Sequence, residues 1–92
     1  MELVTVDVSE LAPPEPMTVI LTALAHLDQG DCLLVTHRRQ PFPLYEKLTQ
    51  AGWAYHCQVH SDDHISLFIY RQTEQQLFEQ HFNDQHFQST TK

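Results

Sequence analysis

Seven histidines in 92 residues are the feature of this sequence that most invites chemistry. His37 closes an apolar run, CLLVTH, and His60 and His64 flank the turn Ser61-Asp62-Asp63. Imidazoles with carboxylates nearby (Asp62, Asp63, Glu15) are a donor set for zinc, iron or copper. A transition metal held by His37, His60 and His64 is therefore one expectation. The H-x3-H spacing spans a turn here, so the one-face argument for i, i+4 pairs on a helix does not apply. The plainer expectation is scattered, solvent-exposed histidines, and His26, His81 and His86 read that way too. A second candidate is Arg38-Arg39. Guanidinium forks suit carboxylate, phosphate and sulfur oxyanions. With Pro14 and Glu15 at a helix start nearby they outline an anion or acidic-ligand site; two solvated loop arginines are the plainer reading. Cys32 and Cys57 lack C-x-x-C spacing and sit in apolar or strand-like surroundings, as buried reduced thiols do. There is no Ser-His-Asp arrangement, phosphate loop or paired catalytic carboxylates, so nothing in the motifs calls for an enzyme.

The elements that would position these residues follow from hydrophobic period. LVTVDV, 3–8, alternates as a β-branched strand. Met17, Ile20, Leu21, Leu24 and Leu27 recur at three and four, giving one helix face from Glu15, with Gly30 as its expected C-terminal cap. CLLVTH is apolar on both alternate sets, as a strand covered on both faces would be. RRQPFP, 38–43, reads as a loop, and LYEKLTQA, 44–51, as a short helix ended by Gly52. WAYHCQV, 53–59, and ISLFIYR, 65–71, alternate about a polar turn and read as a hairpin. The order β-α-β-α-β-β implies right-handed crossovers between parallel strands and both helices on one face. The fold class is α/β, an α+β two-layer sandwich on a mixed four-stranded sheet, over residues 1–72.

Residues 73–92 form a C-terminal extension. TEQQLFEQHF reads as a helix with Thr73 as N-cap and Leu77, Phe78, His81 and Phe82 on one side. STTK, at the end, is expected to fray. The phenylalanines need a surface, and the open sheet face offers Leu34, Phe68 and Tyr70. The extension is expected to pack there, with a second chain as the other occupant, hence a monomer or a weak homodimer through that face.

In such a topology the carboxyl ends of the parallel strands share one rim. That rim collects the segment 9–14, the His37-Arg38-Arg39 loop and the turn before His64. Open α/β sheets bind ligands at such rims, and helix N-termini there favour anions.

Composition narrows the partners. Net charge is −7, with five Lys plus Arg against twelve Asp plus Glu. A phosphate backbone would repel this chain, so no nucleic acid partner is expected. No window nears the roughly 20 apolar residues of a membrane helix. The start, MELVTVDVSE, is acidic and alternating, unlike a signal peptide, and a cytoplasmic location is expected.

One stretch carries a resemblance. "VDVSELAPPEP" before a helix, then "LDQGDCLLVTHRRQP", a helix ending in "AGW" and a final hairpin resemble the SirA/TusA-like sulfur-carrier superfamily over about residues 3–72. Its segment before the first helix reads roughly D-x-x-G-L-x-C-P-x-P. Asp7, Leu11, Pro14 and Pro16 match; Glu10 replaces the Gly, and Pro13 replaces the Cys. More narrowly, the chain resembles an uncharacterised bacterial branch with a PPEP segment in place of the cysteine. The resemblance implies strand order 1-2-4-3 with the last strand antiparallel. It also places a persulfide thiol where this chain has proline, which has no nucleophile. The expected function is therefore a non-catalytic binding or accessory domain working through a protein partner. The alternatives are a sulfur relay using Cys57 or Cys32, and a histidine-based metal or haem-linked sensor.

Overall fold

A computed structural model describes the backbone of residues 1–90 and the side chains of residues 1–82. The elements run β1 (Leu3–Asp7), α1 (Glu15–Ala25), β2 (Cys32–His37), α2 (Phe42–Gln50), β3 (Trp53–Ser61), β4 (His64–Arg71), a 3₁₀ turn (Gln72–Glu74) and α3 (Gln75–Thr90). The four strands form one mixed sheet in the order β1-β2-β4-β3. β1 and β2 are parallel, with Leu3 opposite Cys32 and Asp7 opposite Thr36. β4 runs antiparallel to both neighbours, pairing His37 with Ile65 and Trp53 with Arg71.

One face of the sheet carries the aliphatic core. Ile20 and Leu24 of α1 and Leu44 and Leu48 of α2 meet Leu33, Val35, Leu67 and Ile69 of the strands in a single cluster. Both helices therefore cover the same face, as their apolar spacing requires. α2 begins at Phe42, two residues before the expected Leu44. Pro41 and Pro43 look like loop punctuation, but they fall at the N-cap and second helical positions, where a missing N–H costs nothing. α1 ends at Ala25, and the cap at His26 closes with its N–H on the Ala23 carbonyl and the Leu27 N–H on the Leu24 carbonyl. Gly30 is thus not the helix cap. It lies at φ +87° in the turn that follows, a backbone angle that disfavours a Cβ.

The other face carries aromatic rings. Phe78 of α3 stacks on Tyr70 at 4.0 Å between centroids, and Phe82 lies against Phe68 and His56. Cys32 is buried in this cluster with Tyr70 and Phe78. The C-terminal helix so adds a third layer to the expected two. It occupies part of the face on which the sequence allowed a second copy. Thr73 lies in the 3₁₀ turn and does not cap α3. Ser89 and Thr90 are helical where fraying was expected. Thr91 and Lys92 lie outside the described residues, and the side chain of His86 outside the described side chains.

Candidate functional site

Parallel pairing puts the carboxyl ends of β1 and β2, Asp7 and His37, on one rim of the sheet. Each end is tied locally. The Asp7 carboxylate accepts the Ser9 hydroxyl at 2.6 Å and the Ser9 N–H at 2.9 Å, and these bonds hold its pKa below the ordinary value. Leu11 N–H closes the turn on the Val8 carbonyl at 3.1 Å. His37 Nδ1 accepts the backbone N–H of Arg38 at 2.8 Å and faces that of Arg39 at 3.3 Å. An imidazole nitrogen that accepts carries no proton, so the neutral ring holds its proton on Nε2. Partial burial lowers the His37 pKa below 6.5, and protonation of Nδ1 would oppose the same two N–H dipoles.

Between these ends lies a cleft of about 400 Å³, walled by Glu10, Pro13, Pro16, His37, Arg38 and Arg39. It continues into a slot of about 300 Å³ that shares Pro13, Pro16, His37 and Arg39 and adds Pro14, Met17, Pro41 and Pro43. A third hollow of about 310 Å³ lies on the Phe42–Val59 side of the arginines, with Asp62 in its wall. Phe42 and Val59 are 66 % and 63 % exposed there.

The arginines are the notable cations of this rim. Among the described residues neither guanidinium has a hydrogen-bond or ion-pair partner, although the chain holds twelve acidic residues. The helix starts beside them offer few donors. Pro14-Glu15-Pro16 opens α1, where Glu15 N–H bonds Ala12 and Thr18 N–H bonds Pro14. Pro41-Phe42-Pro43 opens α2, where Phe42 N–H bonds Gln40 and Leu44 N–H bonds Pro41. The expected pull of helix N-termini on anions is therefore weakened, because Pro16 and Pro43 lack a donor and the N–H groups of Glu15, Thr18, Phe42 and Leu44 are used by carbonyls.

Comparison with protein families decides the chain's membership at this point. The uncharacterized conserved protein family DUF2249 matches residues 5–71. The chain belongs to that family. A search of curated proteins and one of solved structures find no match.

The matched region of this DUF2249 member contains every residue singled out for chemistry. His60 and His64 come together, rings 4.7 Å apart, with His60 Nε2 on the Ser66 hydroxyl at 2.8 Å. His37 is turned to its own loop, and the described residues hold no group of three or more His, Cys, Asp or Glu placed for a metal ion. Pro14 lines the slot, whereas Glu15, in the first turn of α1, does not. Cys32 sits at the far end of β2 from the cleft, buried, with desolvation pushing its thiol up to about 12. Cys57 is half-buried in mid-β3 against the aliphatic core. The DUF2249 cleft itself thus contains no thiol.

Glu10, Met17, Gln40, Pro41 and Pro43 were not among the residues that the sequence nominated. One signal pointed to the last two. Pro-x-Pro occurs twice, at 14–16 and at 41–43, and each copy opens one of the two helices over the same sheet face.

Proposed function

We propose that this chain is a non-catalytic binding or accessory domain of the SirA/TusA-like fold that contacts a protein partner through the proline-walled cleft. The observation that carries this reading is a pair of arginines, unpartnered among the described residues, over a cleft whose wall has proline, not cysteine, at position 13. Rigid prolines leave little conformational entropy to lose on binding, so such a wall suits recognition. Persulfide transfer requires a thiolate in an electropositive, accessible place. Cys32 is instead buried in a cluster with Tyr70 and Phe78, where desolvation pushes its thiol up to about 12.

Alkylation of the native chain tests this. A thiol shifted from 9.0 to about 12 has about a thousandfold less thiolate at neutral pH, so Cys32 should stay unmodified by iodoacetamide until the chain unfolds. Cys57 should react no faster than a free model thiol. Rapid modification of Cys57 near pH 7, abolished by Cys57→Ser, would instead assign a sulfur relay and end the non-catalytic reading.

A further inference from the structure

We infer that the cleft takes a monocarboxylate with a short apolar tail, the carboxylate resting on Arg38, Arg39 and His37 and the tail entering the slot between the two Pro-x-Pro segments. This rests on reading the chain as a binding domain and specifies what it binds.

Charge is the first reason. In a chain of net charge −7, two adjacent cations without a partner among the described residues are a local reversal of sign. Guanidinium pairs carboxylates through two parallel bonds, which fixes orientation as well as charge. His37 supplies the second reason. Its Nδ1 is engaged by the loop's own N–H groups, so Nε2–H is the ring atom left to donate, and the ring lines both hollows. A neutral donor beside two cations adds direction without further charge.

The third reason selects among anions. Phosphate sites draw on runs of backbone N–H groups at helix starts. Here Pro16 and Pro43 lack the N–H, and Glu15, Phe42 and Leu44 have given theirs to carbonyls. Glu10 in the wall and the acidic chain further favour one negative charge over two. The slot supplies the fourth reason. Five prolines and Met17 make it apolar and stiff, and its volume is at the lower end of the roughly 300–1,000 Å³ seen for ligand pockets.

A free short-chain acid presents this chemistry, and so does the C-terminal residue of a partner protein. The full chain, labelled with ¹⁵N, is titrated with sodium butanoate and sodium hexanoate, with acetyl-Gly-Gly-Leu, with the amide of that peptide, with hexanol and with inorganic phosphate. Saturable shifts are expected at Met17, His37, Arg39 and Gln40 with one or both acids. Affinity should rise about three- to fourfold per methylene from butanoate to hexanoate. The amide, hexanol and phosphate should bind about tenfold or more weakly, as should hexanoate to the Arg38→Gln, Arg39→Gln variant, whose spectrum elsewhere stays unchanged. Response to hexanoate alone assigns a free acid; response to the peptide acid alone assigns a protein C-terminus. No saturable shift with either acid up to about 10 mM overturns the inference, and so does equal binding of hexanol or phosphate. Thiol reactivity is measured without these ligands, so failure here leaves the non-catalytic reading to its own test.

Discussion

The two ends of the sheet treat their arginines in opposite ways. At the amino ends of β1 and β2, Arg71 reaches across 43 and 44 residues of sequence to the carbonyls of Asp28 and Leu27, at 2.9 and 2.7 Å. Its guanidinium also lies 5.0 Å from the Trp53 ring centre. Glu74 accepts the Gly30 N–H at 2.9 Å, and Asp31 accepts the N–H of Glu2 at 3.3 Å. This end is stitched from β4, the 3₁₀ turn and the start of β1 onto the loop after α1. At the carboxyl ends, Arg38 and Arg39 project beside a cleft with no such partners among the described residues. The same residue type is a structural clasp at one end and an uncommitted cation at the other. A cation with carbonyl partners is committed to the fold; one facing solvent is available to an anion.

The largest expected effect is at the stitched end. Arg71→Ala removes two charge-assisted bonds and the ring contact, and should lower stability by about 2–3 kcal/mol, read from the urea midpoint. A loss under about 0.5 kcal/mol would mean the clasp is ornamental and the contrast false.

A smaller effect is expected at His37, between the two extremes. Its folded pKa lies below 6.5, so between that value and 6.5 the unfolded chain binds more protons. Stability contributed by neutral His37 is full above 6.5 and is lost as pH falls through that window. His37→Asn, which can still accept the loop's N–H groups through its Oδ1, should flatten this part of the pH dependence. An unchanged slope in the variant would show that His37 does not link the loop to pH.

The smallest effect on stability should come from Arg38→Gln with Arg39→Gln. Two solvated side chains without partners among the described residues should change the urea midpoint by no more than about 0.5 kcal/mol while anion binding is lost. If this pair costs as much as Arg71→Ala, the open end is built like the stitched one.

Much of the architecture was legible before any coordinates. Alternating Val4, Val6 and Val8, the three-and-four spacing of Ile20, Leu24 and Leu27, and the hairpin about Asp62-Asp63 each point to one element. Phe78 and Phe82 likewise pointed to the sheet face they cover. What was not legible had a common cause. Pro41 and Pro43 read as a loop because a proline ends a helix or begins one depending on position, and the apolar spacing marks α2 only from Leu44 onward. His60 and His64 come together across their turn, while His37 Nδ1 is engaged by its own loop. The backbone N–H groups of Arg38 and Arg39 hold that ring, an arrangement that spacing does not encode.

By itself the sequence determined the element order, the apolar face of each element and the absence of a thiol at position 13. These are properties of neighbours in the chain, set by side-chain period, backbone restriction and residue chemistry. Only the tertiary structure decided that two Pro-x-Pro segments face one slot, that Arg71 is committed while Arg38 and Arg39 have no partner among the described residues, and that Cys32 is sealed under Phe78. Those outcomes depend on partners dozens of residues apart, chosen by how the sheet pairs and how the helices lie on it, and no local pattern carries them.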